Sequence, residues 1–320
     1  MFKFLSSTTI LLFSLSLGGI ININAETRVT YKSAKSTSSY YQMAVQIAEN
    51  MKKGTGGKII VTVEESQGSV QNVMEAAVRN NNYVFTTPPV LVKLAQAGKV
   101  MFKGKSNPKF NNIRALFPIP SLTMHFVMSK ESGVSKFSDL EDRTILLGKG
   151  SFGAKEGAKY LKIFGLEGKV KLANVELNNA VPAIKNRQID GFVTAGSYPA
   201  PNVLEAAAGV GVSLISLSDA QVKKTKRTRL VIPAGTYPGV NQDTVTTSLP
   251  VIAYTITSMD DETAYQLTKT YWEQIASMGK AFPWWNGVSA KMLSNIFGKI
   301  HAGAMRYYDE AGIPVPAANR

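Results

Sequence analysis

Short β-branched runs alternate along the chain with segments whose apolar residues recur every three or four positions, the pattern of strands layered against helices. Residues 28–33 predict a first strand, and 40–53 a helix with Tyr41, Ala44, Val45, Ala48 and Met51 at helical spacing, ended by Gly54, Gly56 and Gly57. Residues 59–63 are strand-like, 69–79 helical, and 83–85 form a short strand running into Pro88 and Pro89. This β-α-β-α-β series predicts mostly parallel pairing. Two more strands are expected at 113–117 and 123–128, separated by Pro118 and Pro120, and 136–143 leads to an apolar strand at 144–147. A second series follows: helix 154–164, strand 170–175, helix 180–187, strand 189–194, helix 200–208 and strand 212–217. The tail adds a strand at 250–257, a helix over 260–277 and a last helix near 291–307. That is too little sheet for a third domain, so the tail is expected to return to the first unit. The expectation is an α/β protein of two lobes, residues 26–120 plus 236–320 and residues 121–235. Chain crossings near 118–128 and 230–246 would form a hinge, with a ligand cleft between the lobes.

Residues 1–25 read differently. Lys3 precedes a stretch that is apolar apart from small polar residues. Its strongest run, 10–17, falls short of the ~20 residues a membrane span needs, and Asn22, Asn24 and Ala25 then open a polar stretch. This is the form of a secretory signal and predicts export to the periplasm. The formal net charge of +14 loses only Lys3 with the signal, so +13 belongs to the exported chain. Export and the absence of aromatics within the basic run Lys223, Lys224, Lys226, Arg227 and Arg229 weigh against nucleic acid as a partner. That run reads as a solvated helix end, with a docking patch for a membrane partner as the alternative. With no cysteine and only two histidines, thiolate chemistry is excluded, and neither a metal site nor a cofactor is expected.

Candidate chemistry lies in loops that join strand ends to helix starts, where free backbone N–H groups and the helix dipole favour an anion. Residues 33–41 form one such loop, rich in hydroxyls, with Ser38 or Ser39 as ordinary helix caps on the simpler reading. The arrangement recurs at residues 65–69, with Asn72 one turn in. Gly148-Lys149-Gly150-Ser151-Phe152-Gly153 follows a strand, opens a helix and matches G-x-G-x-x-G, and Glu176 stands at about the distance of a ribose-binding acid. A nicotinamide-dependent oxidoreductase is therefore a rival reading. Against it stand export, the motif's position deep in the chain and the two similar loops nearer the amino terminus; a small-anion loop fits all three. His125 lies in an apolar strand, either as a buried structural histidine or within reach of a ligand carboxylate, and His301 reads as structural. Phe282-Pro283-Trp284-Trp285 reads as a packing block.

Several segments resemble the TAXI-type solute-binding subunits of TRAP (tripartite ATP-independent periplasmic) transporters. They are Ser39-Tyr40-Tyr41, Gln67-Gly68-Ser69-Val70-Gln71-Asn72, Gly150-Ser151-Phe152-Gly153, Ile189-Asp190-Gly191-Phe192, and Pro233-Ala234-Gly235-Thr236-Tyr237-Pro238-Gly239. Residues 301–308 with Glu310-Ala311-Gly312 complete the set. Each is weak alone; their number and order carry the resemblance through essentially the whole mature chain. It implies a type II-like, clam-shell periplasmic binding fold, no catalysis, and capture of a small anionic solute, usually a carboxylate, with a sulfonate also suited to hydroxyl and amide donors. The solute would be delivered to an ion-driven membrane permease; the binding subunit of an ATP-driven (ABC-type) importer would share the clam-shell and differ in its membrane partner. The expected cleft contacts are Ser36, Ser38, Tyr40, Tyr41, Ser69, Asn72, Thr87, His125, Ser151 and Tyr198. Two departures from the family pattern, Lys35-Ser36-Thr37-Ser38 in a loop that is usually glycine-rich and Thr86-Thr87-Pro88-Pro89, weigh against glutamate or related dicarboxylates as ligand.

Overall fold

The computed structural model describes residues 26–149 and 151–320; the expected signal, 1–25, and Gly150 lie outside the described residues. β1 (Thr27–Lys32) pairs parallel with both β2 (Ile59–Glu64) and β3 (Tyr83–Thr87). Between β1 and β2 runs α1 (Ser39–Gly54), capped by the Ser38 hydroxyl and buried through Tyr40, Met43, Ala44, Ile47 and Met51, the i, i+3, i+4 stripe of a helix on a sheet. α2 (Ser69–Glu75) is shorter than the pattern predicts. After β3, where Pro88 and Pro89 suggest a turn, the chain starts α3 (Pro89–Gln96). A proline in the first turn of a helix lacks only an N–H that would have had no helical partner.

The largest difference from the sequence reading is at the first crossing. The two strands expected around Pro118 and Pro120 are one, β4 (Ile113–Ser129), antiparallel over most of its length to β10 (Thr244–Ile256), which begins six residues before the expected strand at 250. The prolines are tolerated because the side of β4 on which they lack N–H groups has no strand partner there. Their carbonyls accept from tyrosine hydroxyls instead, Tyr271 at 2.7 Å from Pro118 O and Tyr40 at 3.1 Å from Pro120 O. Pro250 falls at a register shift between Leu249 and Val251, where the ladder is already interrupted.

Beyond the crossing, β4 pairs antiparallel with β7 (Gly191–Gly196) and β8 (Val212–Leu214), while β10 pairs antiparallel with β9 (Thr228–Ile232). β5 (Thr144–Leu146) lies parallel to β6 (Lys171–Ala173) and β7. The sheet order is β2-β1-β3-β10-β4-β7-β5-β6. Mostly parallel pairing was expected; the parallel flanks are present, but the centre is antiparallel because both crossing strands run against their neighbours.

α4 (Phe152–Ile163) packs on one face of the second half of the sheet, and α5 (Ala180–Lys185) and α6 (Pro201–Val210) enclose a separate core on the other, around Phe192, Val203 and Tyr237. α7 (Asp219–Thr225) precedes β9. The tail returns to the first half as α8 (Asp261–Ala281) and α9 (Ala302–Glu310). The expected helix at 291–307 is shorter: residues 290–295 form a 3-10 turn, and Ile300 bridges Ala115 in extended conformation before His301 caps α9. Gly303 permits the α8–α9 approach, since a Cβ there would collide with the carbonyl oxygen of Asp261. Trp284 and Trp285 are buried, both donating from indole nitrogen to Gln46 Oε1 at 3.2 and 2.7 Å. They are packing residues, in line with the sequence reading.

The basic run is divided by its partners. Arg227 makes a two-pronged ion pair with buried Glu156 of α4, at 2.7 and 3.0 Å, and Arg229 pairs with Asp219 at 2.9 Å. Lys223 and Lys224 lie in the last turn of α7, where cations complement the helix dipole.

His125 lies deep in β4. The Tyr237 hydroxyl accepts from the Ala200 N–H at 2.8 Å and so donates to His125 Nε2 at 2.8 Å, leaving Nδ1–H to donate to Thr123 O at 3.1 Å. Burial pushes this imidazole down to about 4 from its ordinary 6.5.

Two outcomes are expected. Arg227→Ala leaves Glu156 buried with only Lys159 at 3.4 Å and should cost about 2–3 kcal/mol in urea unfolding, with Arg227→Lys intermediate. For His125, the unfolded chain takes up the proton first as pH falls. Its contribution is therefore whole above about 6.5 and lost progressively towards 4, about 2 kcal/mol by pH 5. His125→Asn should unfold more easily at pH 7.5 and lack this part of the slope.

Candidate functional site

The loops that leave the carboxyl ends of β1, β2, β5 and β6 converge on one cleft, the position at which open α/β sheets bind ligands. From the first half come Ala34, Lys35, Ser38 and Tyr40 after β1, and Gln67, Gly68 and Ser69 after β2; from the second come Lys149, Ser151, Phe152 and Gly153 after β5 and Leu177 after β6. Leu122 of β4 and residues 193–195 of β7 form the floor. The cavity is about 60 Å³, roughly four times the ~15 Å³ that one water-sized sphere needs. It fits a small polar group and is far too small for a dinucleotide.

Each wall is held by its own backbone. Ser33 Oγ donates to Tyr40 O at 2.7 Å, closing the first loop over the start of α1. Ser66 Oγ accepts from Gly68 N–H at 2.9 Å and donates to Ser33 O at 3.0 Å, tying the second loop to the first. Gly68 has φ +111°, a backbone conformation that only glycine adopts without strain, and it lies opposite the Ser151 backbone of the facing loop. Ser151 Oγ accepts from Ala154 N–H and donates to Gly148 O, both at 2.9 Å. That cap engages the Ala154 N–H, and the N–H groups of Phe152 and Gly153 open the first turn of α4 beside it, with no acceptor among the described residues outside the helix. Gly153 brings the helix onto β7, since a Cβ there would stand 2.8 Å from Ala195 Cβ.

Two cationic side chains, Lys35 and Lys149, and the positive end of α4 face this space. Lys35 points into the cleft and pairs across it with Glu176 at 2.9 Å; Gln67 Nε2 donates to the same carboxylate at 3.0 Å. The Lys35 hydrogen bond, with that from Gln67, holds Glu176 below the usual carboxylate range. The acid that the glycine-rich loop would assign to a ribose is thus already engaged.

Of the expected contacts, Ser38, Tyr40, Ser69 and Ser151 meet at this cavity. Ser36 is exposed, its N–H bound to Glu65 Oε1 at 2.5 Å. Tyr41 is half-buried on α1 and does not line the cavity. Asn72 and Thr87 lie wholly beneath it. The Asn72 amide donates to Ser33 O at 2.7 Å and Thr86 O at 3.0 Å, joining the ends of β1 and β3. His125 has both ring nitrogens engaged as described. Tyr198 lines a second, larger cavity of about 520 Å³ with Pro120, Thr123 and Trp284. Sequence reasoning missed Gln67 and Lys149, although both stand inside loops it singled out. For Leu122, Leu177 and Thr194 the sequence carries no signal.

Several solved structures are similar to this chain. The periplasmic binding protein BugD superposes with a TM-score of 0.57 at 10% identity, covering 91% of this chain and 99% of that one. The alkanesulfonate-binding protein SsuA from Xanthomonas axonopodis pv. citri, bound to MOPS, gives 0.45 at 12% identity, with 91% and 80% covered. A TRAP periplasmic solute-binding protein of Actinobacillus succinogenes 130z with bound L-galactonate gives 0.45 at 14%, with 90% and 87% covered. The NMT1-like family matches residues 32–312. With the match spanning nearly all of the described chain, this protein belongs to the NMT1-like family and has the two-lobed, clam-shell α/β fold of periplasmic solute-binding proteins.

Proposed function

We propose that the chain is an exported receptor that captures a small anionic solute, a carboxylate or sulfonate, in the cleft between two lobes, 26–120 plus 236–320 and 121–235. The observation that carries this reading is the small cavity in which Lys35, Lys149 and the open N-terminus of the twelve-residue helix α4 face one space. A negative group there gains charge-assisted hydrogen bonds from Lys149 and α4 on one lobe and hydroxyl donors, Ser38 and Ser69, on the other, so binding and lobe closure become one event. The crossings within β4 and β10 supply the hinge.

The resemblance in sequence to TAXI-type subunits supports a further step, delivery of the solute to the ion-driven permease of a TRAP transporter. Among the described residues no helix is long and apolar enough to cross a membrane, so transport itself requires such a partner. Uptake into vesicles carrying the permease should then need this protein and an ion gradient but no ATP; dependence on ATP would move the reading to an ABC-type importer.

In a thermal-shift screen of residues 26–320 against neutral, cationic and anionic small molecules, only anions should raise the melting temperature. Ser151→Ala removes the cap of α4 and should weaken anion binding about fivefold to tenfold in calorimetry, while costing about 1 kcal/mol of stability. Unchanged affinity would count against the site. Gly68→Ala should lower both stability and affinity, because a side chain at φ +111° strains the loop that lines the cavity.

A further inference from the structure

Glu176 joins the two sides of the cleft, yet it does not line the cavity. Its carboxylate stands at the rim, beside Leu177 of the wall, and receives Lys35 Nζ at 2.9 Å and Gln67 Nε2 at 3.0 Å from the other half of the molecule. Both partners do line the cavity. Of the two lysines that face the space, one is therefore already neutralised. Lys149 and the first-turn N–H groups of α4 remain to balance a bound anion.

We infer that Glu176 is a specificity-determining residue: by engaging Lys35 and Gln67 it restricts the cavity to a compact monoanion and excludes a dianion. This rests on the anion-binding reading above. A first carboxylate at the mouth of α4 has Lys149 and the positive end of the helix. A second, a few ångströms further out, would meet Glu176 as a like charge and find Lys35 occupied, and such a repulsive element discriminates between solutes of similar shape.

The test compares the wild-type chain, Glu176→Gln and the double variant Glu176→Gln/Lys35→Met, each titrated with pyruvate and with succinate in a calorimeter. Glu176→Gln keeps an oxygen acceptor for Gln67 while removing the charge. The ratio of pyruvate to succinate affinity should fall about tenfold in Glu176→Gln, the scale of one close charge pair near the surface. The double variant should reverse most of that change, because the freed ammonium is gone. Both anions still binding with an unchanged ratio, or weakened equally as loss of a simple clasp between lobes would produce, overturns this inference alone. If neither anion binds any of the three proteins while circular dichroism shows them folded, the anion reading falls and this inference with it.

Discussion

Two long strands, β4 and β10, paired antiparallel and shared by both halves of the sheet, are the constraint on which the rest depends. Because they cross the molecule side by side, the parallel strands on either flank turn their carboxyl ends towards a common cleft. The crossing carries three prolines, Pro118, Pro120 and Pro250, each where the ladder has no partner strand or shifts register. Carbonyls released from the ladder are satisfied by Tyr40 and Tyr271, whose phenols burial pushes well above their ordinary range. A crossing that leans on these specific side-chain contacts is where the proposed hinge would bend.

Around that crossing, short side chains decide how near the lobes come. Gly196 of β7 lies against Ser39 of α1, so that a Cβ would stand 2.6 Å from the Ser39 hydroxyl. Gly68 and Ser151 face each other from opposite loops. The polar contacts Lys35–Glu176 and Gln67–Glu176 then span the same gap. Close backbone approach and a charged clasp act together, which leaves only a small enclosed volume and restricts what a ligand can be by size as much as by charge.

The large positive charge takes on a more local meaning in the fold. Arg227 and Arg229 serve ion pairs, and Lys223 and Lys224 complement a helix end. Among the described residues, Lys35 and Lys149 are the cations that line the cavity. General excess charge brings anions towards the surface; in the proposed reading, two lysines, one of them already paired, would meet an anion in the cleft.

From the sequence alone, periodicity places most strands and helices within a few residues, because each buries one face and that face is written locally as a period of two or of three to four. Ser38 and Ser151 are legible for the same reason, since a cap acts on the helix that follows it. Tertiary structure decides what depends on distant partners. Pro118 and Pro120 look like breaks until Tyr271 and Tyr40 supply what the ladder lacks. Asn72 and Thr87 lie in or beside loops that suggest ligand contacts, yet packing turns them beneath the cavity. His125 finds its partner 112 positions away in Tyr237, and Lys35 finds Glu176 only because the crossing strands bring two separate loops face to face.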